Sequence, residues 1–232
     1  MPTAFLRGRT VSFSARLAVI ETRIQQACQL SGRSRDAVRL VAVSKTRTLP
    51  ELEAALASGV VDLGENYAQE LRDKAGALGD VARWHYIGSL QRNKVKYVAP
   101  VTHLFHAFSD IRLADEFAKR RETPMPVLIA VNTGGEASKS GVPVEEALGL
   151  AQQVDQHPGV ELKGLMTIPP FQADPADVAP YFKTLADLAA EGRRQGLPLT
   201  ELSMGMSHDF EVAIAHGATL VRVGTALFGP RE

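Results

Sequence analysis

Short apolar runs and amphipathic stretches alternate along almost the whole chain, and this alternation limits the fold more than any other feature. The apolar runs are Leu40 to Val43, Val60 to Leu63, Trp84 to Ile87, His103 to Phe108, Pro126 to Val131, Val160 to Met166, Leu199 to Ser203 and Thr219 to Val223. Stretches such as LPELEAALASG, YAQELRDKAGAL, DIRLADEFAKRR and DVAPYFKTLADLAAEGRRQG lie between them, with apolar residues at helical spacing. A repeated strand-then-helix order builds a parallel sheet, because parallel neighbours need a crossover connection that a hairpin cannot supply. About eight strands without a Pro/Ser-rich linker or compositional break predict an α/β fold, a single (β/α)8 TIM barrel rather than a doubly wound open sheet. No G-x-G-x-x-G follows the first strand, which removes the main support for a dinucleotide-binding sheet. Ahead of the first run, Phe13, Leu17, Ile20, Ile24 and Cys28 recur at three- and four-residue intervals. They predict an extra N-terminal helix over 13–30, stopped at Ser31-Gly32. Residues 1–12 read as a flexible basic extension and 13–232 as one barrel domain.

Charge and cysteine content narrow the functional classes. The 26 basic and 26 acidic side chains cancel, so no global field favours nucleic acid or an anionic membrane. The cations of QRNKVKY read as a solvated helix face, so no nucleic-acid partner is expected. No segment reaches the roughly 20 apolar residues of a membrane helix, and MPTAFLRGRTVSF lacks the apolar centre of a secretory signal. The single cysteine, Cys28, sits at a core position and suits a reducing compartment, so a cytoplasmic location is expected. The six histidines show no metal-ligand spacing.

In a barrel of this kind the chemistry lies at the C-terminal ends of the strands. The first strand delivers Ser44-Lys45-Thr46 there, the second GEN with Asn66, and the third HYIGSLQRNK with His85. The sixth delivers GLMTIPP, the seventh SMGMS and the eighth VRVGT. SMGMS and Gly224-Thr225 offer small residues, hydroxyls and backbone N–H groups in the two loops where barrels most often hold phosphate. Partial desolvation and the neighbouring Arg47 disfavour the ammonium form of Lys45, which prepares the amine to attack an aldehyde. A ligand carrying both an aldehyde and a phosphate is pyridoxal 5′-phosphate, PLP. Arg222, two residues before the last phosphate turn, would point across the mouth. An arginine can only donate to an unprotonated pyridine nitrogen, which leaves the ring a weak electron sink. The alternative for Arg222 is an ion pair with an interior carboxylate such as Glu65.

The motifs VAVSKT, GENYAQE, WHYIGSLQRNK, SKSGV, GLMTIPP, LSMGMS and AIAHGATLVRVGTALFG occur in this order over nearly everything after the first helix. In them the chain resembles the pyridoxal phosphate homeostasis protein family. The resemblance implies a monomeric barrel similar to the N-terminal domain of bacterial alanine racemase. It implies Lys45 as the aldimine residue, Arg222 at the pyridine nitrogen, and Ser207, Gly224 and Thr225 on the phosphate. It further implies Asn66 near the cofactor, His85 and Met204 lining the pocket, and a role in vitamin B6 homeostasis without established catalysis. Amino acids and apo-forms of PLP enzymes are the further partners it suggests. One departure is His208, where the family carries a small or acidic residue; it is expected to change the pocket rim only.

Two rival classes have sequence support. A racemase-like or lyase-type enzyme would use the same Lys45. Racemisation, however, needs acid/base groups on both faces of the substrate, and none of Tyr67, Tyr86, Tyr97 and Tyr181 stands where a second base is expected. A serine hydrolase is suggested by GMSHD, but Ser207, His208 and Asp209 are consecutive, so their side chains diverge. Lys139 of SKSG reads either as a loop cation meeting an incoming acid group or as a surface lysine.

Overall fold

The computed structural model describes residues 11–135 and 141–230. Lys139 and residues 1–10 of the N-terminal extension lie outside the described residues. Eight parallel strands follow in order: β1 (Arg39–Val43), β2 (Asp62–Glu65), β3 (Arg83–Tyr86), β4 (Thr102–Phe108), β5 (Met125–Asn132), β6 (Val160–Met166), β7 (Glu201–Ser203) and β8 (Leu220–Val223). Each pairs with its sequence neighbours, and β1 pairs with β8 through Val41 and Arg222, which closes the sheet into a barrel. A two-residue strand, Val142–Pro143, adds to β5 beside Val131 and Asn132. The helices are α1 (Phe13–Leu30), α2 (Leu49–Ala57), α3 (Ala68–Leu78), α4 (Val95–Val98), α5 (Arg112–Ala118), α6 (Val144–Asp155), α7 (Ala179–Arg194), α8 (Phe210–Ala215) and α9 (Thr225–Phe228).

Most strand ends shift by one or two residues from the apolar runs, and at β2 both shifts have local reasons. The second run begins at Val60, yet β2 starts at Asp62. Val60 donates its N–H to Ala55 O at 3.1 Å and finishes the end of α2, with Gly59 at φ +87° making the turn. The strand then continues through Glu65, a carboxylate with no exposed surface, which periodicity cannot distinguish from a loop residue. QRNKVKYVAP yields only a short 3-10 segment and one α turn, ending before Pro100. Its two lysines lie over Tyr97, with Lys94 Nζ 5.6 Å and Lys96 Nζ 5.0 Å from the ring centroid, while Arg92 pairs with Glu116 at 3.2 Å.

Helix α1 braces the two loops that matter most for the mouth. Ser12 caps it by accepting the Ala15 N–H at 3.2 Å. Its buried face packs on α8 and α9, with the Phe13 and Phe228 rings 5.1 Å apart. Arg23 pairs with Glu211 at 2.6 Å and lies 4.6 Å over the Phe210 ring. Arg16 Nε donates to Leu227 O at 2.6 Å and so satisfies a carbonyl at the end of α9. The additional helix thus supports from behind the segments that carry Ser207, Gly224 and Thr225.

Candidate functional site

Lys45 stands in a turn whose flanking residues are held from several sides. The Ser44 N–H donates to Gly64 O at 2.9 Å, the Ser44 hydroxyl donates to Glu65 Oε1 at 2.6 Å, and Lys74 Nζ donates to Ser44 O at 2.7 Å. Thr46 adopts φ +63°, a left-handed conformation unfavourable for a β-branched residue. Its N–H donates to Glu70 Oε1 at 2.6 Å. Lys74, buried at 6 % exposure, bridges Glu65 at 2.8 Å and Glu70 at 2.6 Å, which makes the three charged groups one unit beneath the turn. Burial pushes the Glu65 carboxyl above its ordinary range, against the pull of Lys74. Strain of this kind persists only where the surroundings over-determine it, as they do here. Past the turn, Thr48 and Glu51 form a capping box at the start of α2.

On the adjacent strand, Arg222 of β8 is buried yet lines the mouth. Its Nη2 donates to Thr167 O at 2.9 Å and its Nη1 to Ser203 Oγ. Burial pulls the guanidinium down to about 10, so it keeps its charge at neutral pH. The alternative pairing with Glu65 is not formed, because Glu65 is engaged by Ser44 and Lys74. In the loop after β7, Gly205 has φ +88°, and Asp209 Oδ1 accepts the Met206 N–H at 2.6 Å. Ser207 Oγ then accepts the Gly224 N–H at 3.3 Å and joins the two loops. A side chain at position 224 would press on Val43, whose Cβ lies 3.3 Å from the site of the missing Cβ.

A cavity of about 150 Å³ at this mouth is lined by Val43, Lys45, Arg47, Met206, Ser207, Arg222, Gly224 and Thr225. Among the described residues, three cations, two hydroxyls and no carboxylate face it, a donor set that fits a phosphate group together with a neutral ring acceptor. Five of the sequence-predicted residues therefore meet in one place: Lys45, Ser207, Arg222, Gly224 and Thr225. Asn66, just after β2, is half-buried with its carbonyl accepting the Tyr86 hydroxyl at 3.1 Å, and it is not among the residues lining the cavity. Met204 is fully buried in the core, and His85 sits inside the barrel between Asp62 and His106; neither forms part of the cavity wall. Arg47 does line the cavity, but it is also engaged by Glu51 at 3.1 Å and by Gly229 O. His208 is exposed at the rim, its ring 5.4 Å from that of Phe171.

A larger hollow of about 1060 Å³ opens at the N-terminal ends of β3 to β6, away from this constellation. Its cations are already engaged: Arg83 by Asp62, Lys163 by Glu161 and Arg121 by the carbonyls of Ala99 and Thr102. Sequence reasoning did not find Glu70, Lys74, Thr167 or His106, and it read Ser203 only as part of the SMGMS phosphate loop, whereas its hydroxyl meets Arg222 and His106. Glu70 carries a weak signal, lying in GENYAQE four residues before Lys74 on one face of α3.

The sequence profile of the alanine racemase N-terminal domain family matches residues 16–232. A pyridoxal phosphate homeostasis protein of Aquifex aeolicus is 45% identical over 222 residues, covering 94% of this chain and 97% of that protein. The structure of PipY from Synechococcus elongatus with PLP bound aligns with a TM-score of 0.80 at 31% identity, covering 94% of this chain and 100% of that one. Alanine racemase from Corynebacterium glutamicum, 18% identical with a TM-score of 0.66, covers 93% of this chain, which spans 61% of the racemase and shares its fold. The closed eight-stranded barrel with its leading helix, the matched profile and these identities together show that the chain belongs to the pyridoxal phosphate homeostasis protein family.

Proposed function

We propose that this chain binds pyridoxal 5′-phosphate at the barrel mouth and acts in vitamin B6 homeostasis by holding and supplying the cofactor rather than as a catalyst. The observation that carries the reading is the placing of Lys45 and Arg222 on one small cavity with Ser207, Gly224 and Thr225. Lys45 is the amine that holds the aldehyde end, and the Ser207–Gly224–Thr225 corner receives the phosphate. Arg222 donates to the ring nitrogen. In amino-acid chemistry the bound cofactor supplies an electron sink for charge developing next to its aldehyde carbon. A donor-only arginine weakens that sink, because it has no proton acceptor to offer.

The tyrosines support a holder. Tyr86 is bonded through its hydroxyl to Asn66 O and Ser89 O, and burial pushes it up to about 12. Tyr97 lies beneath two lysines, and neither Tyr67 nor Tyr181 lines the cavity. No phenol is in place to move a proton on a second face of a substrate. The chain acts as a monomer in the cytoplasm, with apo-enzymes as recipients of the cofactor and amino acids as ligands of the loaded form.

Titration of the purified protein with the cofactor should produce a visible band, and borohydride reduction with peptide mapping should place the label on Lys45. Label on another residue, or a band unchanged in Lys45→Ala, would refute the assignment. Incubation with an amino-acid panel in heavy water should give no enantiomer interconversion; turnover there would make the chain an enzyme of the racemase type.

A further inference from the structure

Behind Arg222 a line of buried polar side chains crosses the barrel interior. Arg222 Nη1 donates to Ser203 Oγ; Ser203 Oγ and His106 Nδ1 are 2.8 Å apart; His106 Nε2 and His85 Nδ1 are 2.9 Å apart; and His85 Nε2 lies 2.8 Å from Asp62 Oδ1. Ser203, His106 and His85 have no exposed surface, and Arg222 and Asp62 have 3 % and 5 %. The members come from β8, β7, β4, β3 and β2, so the line links walls that share no sheet pairing. Beyond the carboxylate end, Arg83 Nη2 donates to Asp62 Oδ2 at 2.6 Å.

Donor and acceptor counting allows one direction only. The Asp62 carboxylate can only accept, so His85 must carry its proton on Nε2. His85 Nδ1 is then an acceptor, which requires the proton of His106 to be on Nε2. His106 Nδ1 in turn accepts, so the Ser203 hydroxyl donates to it and receives the guanidinium N–H on its oxygen. Reversing the order would set a bare imidazole nitrogen against a carboxylate at 2.8 Å. A doubly protonated ring is opposed by burial, the leading influence that pulls both imidazoles below their ordinary range, the more strongly at His106. Around the pair, Arg39, Arg83, Arg222 and His103 also disfavour added charge, and Asp62 alone favours it.

We propose that Ser203, His106 and His85 are positioning residues: a one-way hydrogen-bond chain from Arg222 to Asp62 that fixes the guanidinium at the mouth as a donor. Two of its five N–H groups are spent inward, on Ser203 and Thr167, while the residue lines the mouth cavity. What Arg222 meets there rests on the function proposed above; the chain itself does not.

The test begins without cofactor. Long-range proton–nitrogen spectra of histidine-labelled protein at pH 7 should show His85 and His106 both neutral and both protonated on Nε2. The Arg222 guanidinium should give slowly rotating N–H resonances that are lost in Ser203→Ala and His106→Leu. His106→Gln, which keeps an acceptor and a donor, should retain them. An Nδ1–H form of either ring, or a guanidinium equally restrained in all variants, would overturn the proposal. In the loaded protein, Ser203→Ala and His106→Leu should raise the Kd for pyridoxal 5′-phosphate about tenfold, roughly the loss of one charge-assisted bond, and move the visible band. His106→Gln should stay within about twofold. Unchanged Kd and band in both disruptive variants would also overturn it. A protein that takes up no cofactor would sink the proposed function, while the cofactor-free spectra would still decide the chain.

Discussion

Glu70 Oε1 accepts the Thr46 N–H at 2.6 Å, and the bond closes over a threonine at φ +63° beside Lys45. The turn that presents the amine is thus held in a conformation its own residue disfavours, by a carboxylate on the following helix. Thr46→Gly removes the strain and should unfold at equal or higher urea, by up to about 1 kcal/mol. Glu70→Ala should cost about 1–2 kcal/mol in the native background and less in the glycine background. A double-mutant cycle reads the difference. Strict additivity would show that the bond does not hold the turn.

Lys74 is the cation on which two carboxylates depend. Lys74→Met should cost about 3–5 kcal/mol, because it leaves Glu65 buried without a counter-charge. The pH dependence has a defined sign. Burial raises the folded-state value of Glu65, so the folded protein holds its proton more tightly than the unfolded chain, and stability falls as pH rises from 4.5 toward that value. The Lys74→Met penalty should therefore shrink on going from pH 8 to pH 5, and Glu65→Gln should restore part of the stability at pH 8. Urea midpoints of the native protein, Lys74→Met and Lys74→Met/Glu65→Gln test both points.

The buried imidazoles give the opposite slope. Burial lowers His85 and His106 below 6.5, so the unfolded chain takes up protons that the folded one refuses. Their contribution to stability is complete above the unfolded value and is lost as pH falls below 6.5, by up to about 1.4 kcal/mol per pH unit for each ring. In His106→Gln the slope between pH 6.5 and 5.5 should drop by about one proton's worth. Equal slopes in the two proteins would show that His106 titrates normally.

Gly205 sets the start of the Ser207 loop. At φ +88°, a Cβ there would lie 2.6 Å from Ala213 Cβ and 2.9 Å from Phe210 Cα. Gly205→Ala should cost about 2–4 kcal/mol, since both the backbone conformation and the contact with α8 are unfavourable. The thermal midpoint should fall by roughly 4–16 °C. A midpoint within about 2 °C of the native protein would show that the loop can relax.

The barrel was readable because its cause is local. Each strand from β1 to β8 announces itself by a run of apolar residues, and each long crossover by helical spacing, so fold class follows from periodicity. The placing of Lys45, Ser207, Arg222, Gly224 and Thr225 on one cavity was readable for a related reason. Strand ends of a parallel barrel share one face, so sequence position relative to a strand end becomes position in space. The start of β2 and the single turn of α4 were misjudged where a helix end or a proline outweighed the apolar pattern.

Other features belong to the tertiary structure alone. The family resemblance implies His85 as a pocket residue, and the contacts of its ring, to Asp62 and His106 inside the barrel, appear only in the structure. His106 and Ser203 meet from 97 positions apart. No propensity places a threonine at positive φ; Glu70 and Lys74, brought under the turn by the packing of α3, help hold it there. The amino-acid sequence determined which side chains stand at the mouth, because strand order and hydrophobic period act over a few residues. Which buried polar groups complete one another was decided only when the barrel closed, because a donor and acceptor from opposite walls acquire a fixed distance and a shared lack of water only in the packed interior.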